Sequence, residues 1–122
     1  MENKEEINNI SNDEGGKCMN NVSLIGRLTR DPELRYTKGD DPKAVTRFTV
    51  AVNRRFNREK ADFIGCQAWG KLAEIVAEHC TKGSQVGVVG RIETGSYEKD
   101  GHTVYTTDIV ADEVEFVGKK GD

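Results

Sequence analysis

The chain has 122 residues, of which 35% are hydrophobic and 32% charged, and its formal net charge is −3. This length supports one domain with one real core. No apolar run approaches the ~20 residues of a membrane helix, the N-terminus lacks the apolar stretch of a secretory signal, and Cys18, Cys66 and Cys80 are an odd set without CxxC spacing. A cytoplasmic protein with reduced thiols is therefore expected, and Cys66 and Cys80, which fall in apolar patterns, are expected to be buried.

Residues 1–18 hold Glu2, Glu5, Glu6, Asp13 and Glu14 against Lys4 and Lys17, with only Ile7 and Ile10 aliphatic. Such a segment buries too little surface to offset its ordering entropy, so a disordered acidic extension is expected there. Its charge of −3 leaves the remaining chain neutral. The folded domain is expected over 19–118, with 119–122 as a short disordered tail.

Val22, Leu24 and Gly26-Arg27-Leu28 point to a first strand ending at Asp31-Pro32, after which turn chemistry dominates through Gly39-Asp40-Asp41-Pro42. From Val45 to Arg54 the residues alternate, Phe48, Val50 and Val52 on one side and Thr49, Ala51 and Asn53 on the other. After a basic loop, Ala61 to Trp69 reads as a third strand. Its period of two places Phe63, Gly65, Gln67 and Trp69 on one face, and Ile64, Cys66 and Ala68 on the opposite face, the better candidate for core.

Lys71 to Thr81 is the one convincing helix, with Leu72, Ile75, Val76, His79 and Cys80 on one stripe and Lys82-Gly83 as its stop. Two further strands fit Val86 to Ser96 and His102 to Val117. They are joined through Glu98-Lys99-Asp100-Gly101, where Asp-Gly is a strong hairpin signal. Gly90 and Gly95, inside a strand, suggest sharp bends or a close backbone approach. Three strands, a short helix and two strands is the order of an all-β, five-stranded Greek-key barrel of the OB type, with the helix between strands 3 and 4. Other β-rich domains share that outline.

The charge is unevenly spread. Arg47 to Lys60 carries five cations and one acid, Glu59, whereas Asp108 to Glu115 carries four acids and no cation. A basic patch opposite an acidic face can still bind phosphate. Within the basic stretch, Phe56 is flanked by Arg55 and Asn57, and Phe63 and Trp69 share a face with Gln67 and Gly65, which argues against a dry core. Tyr97 precedes Lys99. Flat rings that stack bases, beside cations that hold phosphates, suit single-stranded nucleic acid. The candidate stacking residues are Phe56, Phe63, Trp69 and Tyr97. The candidate phosphate contacts are Arg54, Arg55, Arg58, Lys60, Lys71 and Lys99, with Arg35, Lys38 and Lys43 weaker and Arg27 equally suited to a structural role. A solvated surface is the bland alternative for the cations, and a strand-end aromatic without function is that for Tyr97.

Catalysis finds little support. His79 lies on the apolar stripe and reads as a packed histidine, and His102 sits at a turn. Neither has a carboxylate or cysteine at metal-ligand spacing, and no glycine-rich phosphate loop is present, so no metal, cofactor or enzymatic activity is expected.

Several segments match one family in order. Asn20-Asn21-Val22-Ser23-Leu24-Ile25-Gly26-Arg27-Leu28 followed by Asp31-Pro32-Glu33-Leu34-Arg35-Tyr36 resembles the opening of bacterial single-stranded DNA-binding proteins. Phe48-Thr49-Val50-Ala51-Val52-Asn53 resembles their second strand, and Trp69-Gly70-Lys71-Leu72-Ala73-Glu74 with Lys82-Gly83-Ser84-Gln85-Val86 resembles the junction around their helix. The resemblance runs from about Met19 to Val117. It implies an OB fold in a homotetramer, with single-stranded DNA wrapped over it, and base-stacking aromatics at Phe56, Phe63, Trp69 and Tyr97. The implied role is binding and protecting single strands in replication, recombination and repair, with little sequence preference, in a cytoplasmic, nucleoid-associated protein.

Three departures qualify the resemblance. The chain stops at Gly118-Lys119-Lys120-Gly121-Asp122 without the family's acidic tail tip, so recruitment of replication and repair proteins is not carried over. Glu93 and Gly95 stand where many relatives are more basic, so fewer phosphate contacts are expected there. The acidic extension before Met19 is atypical, either a competitor for the basic groove or an inert leader. The rival reading is an OB-fold primosome accessory protein whose main partner is another protein; a nuclease is the remoter rival.

Overall fold

In the computed structural model residues 17–117 are described; residues 1–16 of the expected extension and all of the expected tail lie outside the described residues. Six strands and one helix follow in the order β1 Val22–Leu28, β2 Glu33–Tyr36, β3 Ala44–Asn53, β4 Ala61–Trp69, α1 Lys71–His79, β5 Gln85–Lys99 and β6 His102–Phe116. The sheet order is β1-β5-β6-β4-β3-β2, and an additional β1–β3 pairing returns the sheet to its first strand. Five strands therefore close into an OB barrel, while β2 extends the sheet outward from β3.

The short β2 corrects the expectation that turns fill the space after β1. It pairs antiparallel with β3, from Glu33 opposite Arg47 to Tyr36 opposite Ala44. All four of its residues are exposed, so no alternation of apolar residues announces it. The Thr46 hydroxyl donates to the Glu33 carbonyl (2.6 Å), which ties the strand to the barrel. With β2 counted, the helix falls between the fourth and fifth strands rather than the third and fourth, although it still separates the same two segments.

Alternation decides the rest. Thr46, Phe48 and Val50 on β3 face inward with Cys66 and Ala68 on β4, and Leu28, Val86, Val88 and Ile109 complete the barrel interior. Helix α1 covers one end of this core with Ala73 and Val76, and buried Cys80 follows it. It ends two residues earlier than the periodicity predicts. His79 is also not packed as expected: its side chain is mostly exposed, 4.0 Å from Glu78, with its ring tilted on Phe116 at 5.9 Å.

Barrel closure depends on two glycines. A Cβ at Gly26 would collide with the Ala51 carbonyl, where β1 crosses β3, and a Cβ at Gly90 would collide with the Val110 carbonyl. Gly90 also sits at the register shift between β5 and β6. The extra residue on β6 is Asp112, so Asp112 and Glu113 are exposed in succession, just after the buried run Ile109, Val110 and Ala111. Beyond it the β5–β6 ribbon continues into the turn Asp100-Gly101, where both residues have positive φ (52° and 79°), as a two-residue primed turn requires.

Candidate nucleic-acid interface

Paired residues of neighbouring strands share a face, so register builds the site. On β4 the outward residues are Phe63, Gly65, Gln67 and Trp69, opposite Ala51, Thr49, Arg47 and Val45 of β3. Arg35 of β2 continues the last of these rows. Phe63 is 70% exposed and Trp69 42% exposed, although Ile64, Cys66 and Ala68 between them turn inward to half-buried or buried positions. Phe63 and Trp69 are six positions apart along the strand, a span of roughly 20 Å.

The other two predicted rings flank this wall. Phe56 is 97% exposed in the β3–β4 loop, whose base is closed by Arg54 N–H to the Lys60 carbonyl (3.0 Å) and Lys60 N–H to the Asn57 carbonyl (3.0 Å). Tyr97, 52% exposed, lies on β5 opposite Val104. Counting by two along the ribbon, Tyr97 shares a face with Gly95, Glu93, Thr106 and Asp108. Asp108 touches the β4 wall, so the Tyr97 face joins it. Tyr105, opposite Ser96, stands on the other side of the ribbon.

Trp69 is held in place by a relay of side chains. Its indole N–H donates to Gln67 Oε1 (2.6 Å), and Gln67 Nε2 donates to Asp108 Oδ2 (3.3 Å). Arg47 Nη1 reaches the same carboxylate oxygen at 3.8 Å. The absence of a side chain at Gly65 makes room, since a Cβ there would lie 2.9 Å from Asp108 Oδ1. The relay links residues 47, 67, 69 and 108, and no local sequence pattern signals it. It also places one acid of the Asp108–Glu115 stretch on the ring-bearing wall rather than on an opposing acidic face. Glu93 lies directly across from Asp108 and is paired with Arg91 at 3.2 Å, so each acid in this part of the wall has an arginine beside it.

The predicted cations fall into two groups. Arg54 forms a two-pronged contact with Asp62 (Nη2–Oδ1 3.0 Å), which raises its pKa first through that hydrogen bond and then through charge. Arg35 lies 3.6 Å from Glu33. Arg55, Arg58, Lys60, Lys71, Lys99, Lys38 and Lys43 are exposed and take part in no ion pair among the described residues. Arg27, which suits either role, donates to the Gly83 carbonyl at 2.9 Å.

Burial, and secondarily Asp108, pushes the Cys66 thiol up to about 12, and burial also raises Cys80, so both are inert neutral thiols near neutral pH. Among the described residues no group of three or more His, Cys, Asp or Glu side chains is placed to hold a metal ion. None of their helices is long and apolar enough to cross a membrane.

The chain is similar to known proteins over most of its length. The family model described as the single-strand binding protein family matches residues 19–117. A single-stranded DNA-binding protein of Clostridium perfringens is 55% identical over 100 residues, covering 81% of this chain and 66% of the relative. One from Clostridium tetani is 53% identical over 103 residues, covering 81% and 70%. The single-stranded DNA-binding protein B of Bacillus subtilis is 49% identical over 106 residues, covering 83% and 92%. The chain thus spans about two thirds of the length of the two clostridial relatives and nearly all of the third.

Proposed function

Because the chain belongs to the single-strand binding protein family, we propose that it is a non-enzymatic protein that binds and protects single-stranded DNA with little sequence preference. The observation that carries the mechanism is the outward face of β4, where Phe63 and Trp69 stand exposed on a strand whose opposite face buries Cys66 and Ala68 in the core. Aromatic faces stack on any base, each contact being worth ~1–3 kcal/mol. Phe56 and Tyr97 extend the path from the loop and the ribbon. Arg55, Arg58, Lys60, Lys71 and Lys99 supply phosphate contacts, with Lys38 and Lys43 beside β2. Arg54 and Arg35 contribute less, since each has an acidic partner.

The proposed role is to hold strands apart while they are copied, recombined or repaired, and the proposed location, taken from the family resemblance, is the cytoplasm with the nucleoid. Binding by charge and stacking falls with added salt. We also propose a homotetramer, which the family resemblance suggests and which the exposed Ile25, Phe116 and Val117, away from the β4 rings, support. Light scattering tests the assembly, and a monomer at working concentration would remove it.

Trp69 is the chain's lone tryptophan, so its fluorescence tests the main reading. Oligo-dT should quench the emission strongly, and salt should reverse the quenching. No quenching at micromolar protein and low salt would overturn base stacking at this site.

A further inference from the structure

One exposed aromatic residue near the Trp69 end of β4 lies outside the predicted set, on the register row of Ala44 rather than on the outward row that Val45 and Arg35 share with Trp69. Tyr36, the last residue of β2, is 57% exposed. Together with Trp69 it lines an open groove of about 480 Å³, completed by Pro42, Lys43, Ala44, Gly70, Lys71 and Glu74. Backbone hydrogen bonds fix this arrangement. Tyr36 is paired with Ala44, and the Ala44 carbonyl accepts the Gly70 N–H at 2.8 Å. Thr37 N–H donates to the Lys43 carbonyl (2.9 Å), and Lys43 N–H to the Thr37 hydroxyl (2.9 Å), which closes the β2–β3 loop beside the groove. At Gly70 the φ of 65° favours glycine, and a Cβ there would meet nothing within 4 Å, so the groove is unobstructed at that point.

We propose that this groove is a nucleobase subsite, in which Tyr36 stacks a base of the DNA strand beyond Trp69 while Lys43 and Lys71 hold the adjoining phosphates. The inference rests on the single-stranded DNA reading above and adds a ring to its path. Its chemistry comes from the lining: two aromatic side chains, two lysines free of ion pairs among the described residues, and a single acid, Glu74. A single-stranded base can turn out of its strand to reach such a groove, whereas a paired base is held in the duplex stack. The strand would run from the Phe63 end of β4 past Trp69 to the end of β2.

The test compares Tyr36→Ala, Tyr36→Phe and Phe63→Ala for binding of end-labelled oligo-dT, with far-ultraviolet circular dichroism as the check on folding. Tyr36→Ala should weaken binding about five- to a hundredfold, the range of one stacked base, and Tyr36→Phe should keep wild-type affinity. Unchanged affinity in Tyr36→Ala alongside a loss in Phe63→Ala would overturn the subsite and leave the wider reading standing. A loss in Tyr36→Phe as large as in Tyr36→Ala would overturn stacking in favour of a role for the hydroxyl. Failure of the wild-type protein to bind oligo-dT would overturn both. Photo-crosslinking of the wild-type protein to an oligonucleotide carrying 5-iododeoxyuridine gives a readout that needs no variant. An adduct on Tyr36 supports the subsite, and adducts confined to Phe56, Phe63, Trp69 and Tyr97 overturn it.

Discussion

Phe56 and Trp69 lie at opposite ends of one loop-and-strand unit, and the fold treats them differently. Trp69 closes β4 with its indole N–H held by Gln67, which is held in turn by Asp108. Phe56 stands almost fully exposed in a loop whose hydrogen bonds, and the Arg54–Asp62 pair, secure only the base. A ring already fixed in place loses little freedom when a base stacks on it. A free ring must first be ordered, at a cost of roughly 0.5–1.5 kcal/mol. The contrast separates a prearranged platform from an adaptable contact, though both are exposed rings beside cations.

The largest expected effect follows from that contrast. Trp69→Ala should weaken oligo-dT binding by about ten- to a hundredfold, whereas Phe56→Ala should cost less than about fivefold. Fluorescence anisotropy of an end-labelled oligonucleotide measures both without using the tryptophan. A loss at Phe56 equal to or greater than that at Trp69 would break the comparison.

A smaller effect separates the cations of the same two regions. Each phosphate contact on a single strand adds about 0.7 to the slope of log affinity against log salt. Lys71, beside Trp69 and in no ion pair among the described residues, should lower that slope by about 0.7 when changed to Ala. Arg54→Ala should leave it nearly unchanged, because the guanidinium already serves Asp62. Equal changes would show that the Arg54–Asp62 pair opens to DNA.

How much of this was legible in the sequence depended on the range of the interaction. The two faces of β4 could be read from Phe63 to Trp69 because alternation is local. The Asp100-Gly101 hairpin was equally clear, since a primed turn demands residues tolerant of positive φ. Strand β2 was hidden because it lies at the sheet's edge with no buried residue, and Tyr36 was hidden with it. The consecutive exposure of Asp112 and Glu113 breaks alternation because the chain bulges at Asp112, between the partners of Gly90 and Val89. His79 matched the helical stripe in spacing, yet the helix ends there and its mostly exposed side chain lies between Glu78 and the ring of Phe116. Asp108 read as part of an acidic run, and only the parallel pairing of β4 with β6 brings it beside Gln67.

The smallest expected effect tests whether that relay is what distinguishes Trp69 from Phe56. Gln67→Leu keeps the bulk of the side chain but removes the acceptor for the indole and the donor to Asp108. Hydrogen bonds of this kind contribute a net ~0.5–1.5 kcal/mol, so oligo-dT affinity should fall roughly two- to tenfold. The tryptophan's emission anisotropy should fall in the free protein as the ring gains freedom. Gln67→Glu retains an acceptor for the indole but sets a second carboxylate against Asp108, and so should also weaken binding. Adding Asp108→Asn restores a donor between the two positions and should recover affinity and anisotropy together. Lost affinity with unchanged anisotropy would mean that Gln67 meets the DNA itself. If neither quantity moved in Gln67→Leu, packing alone would hold the indole, and the contrast with Phe56 would reduce to their difference in exposure.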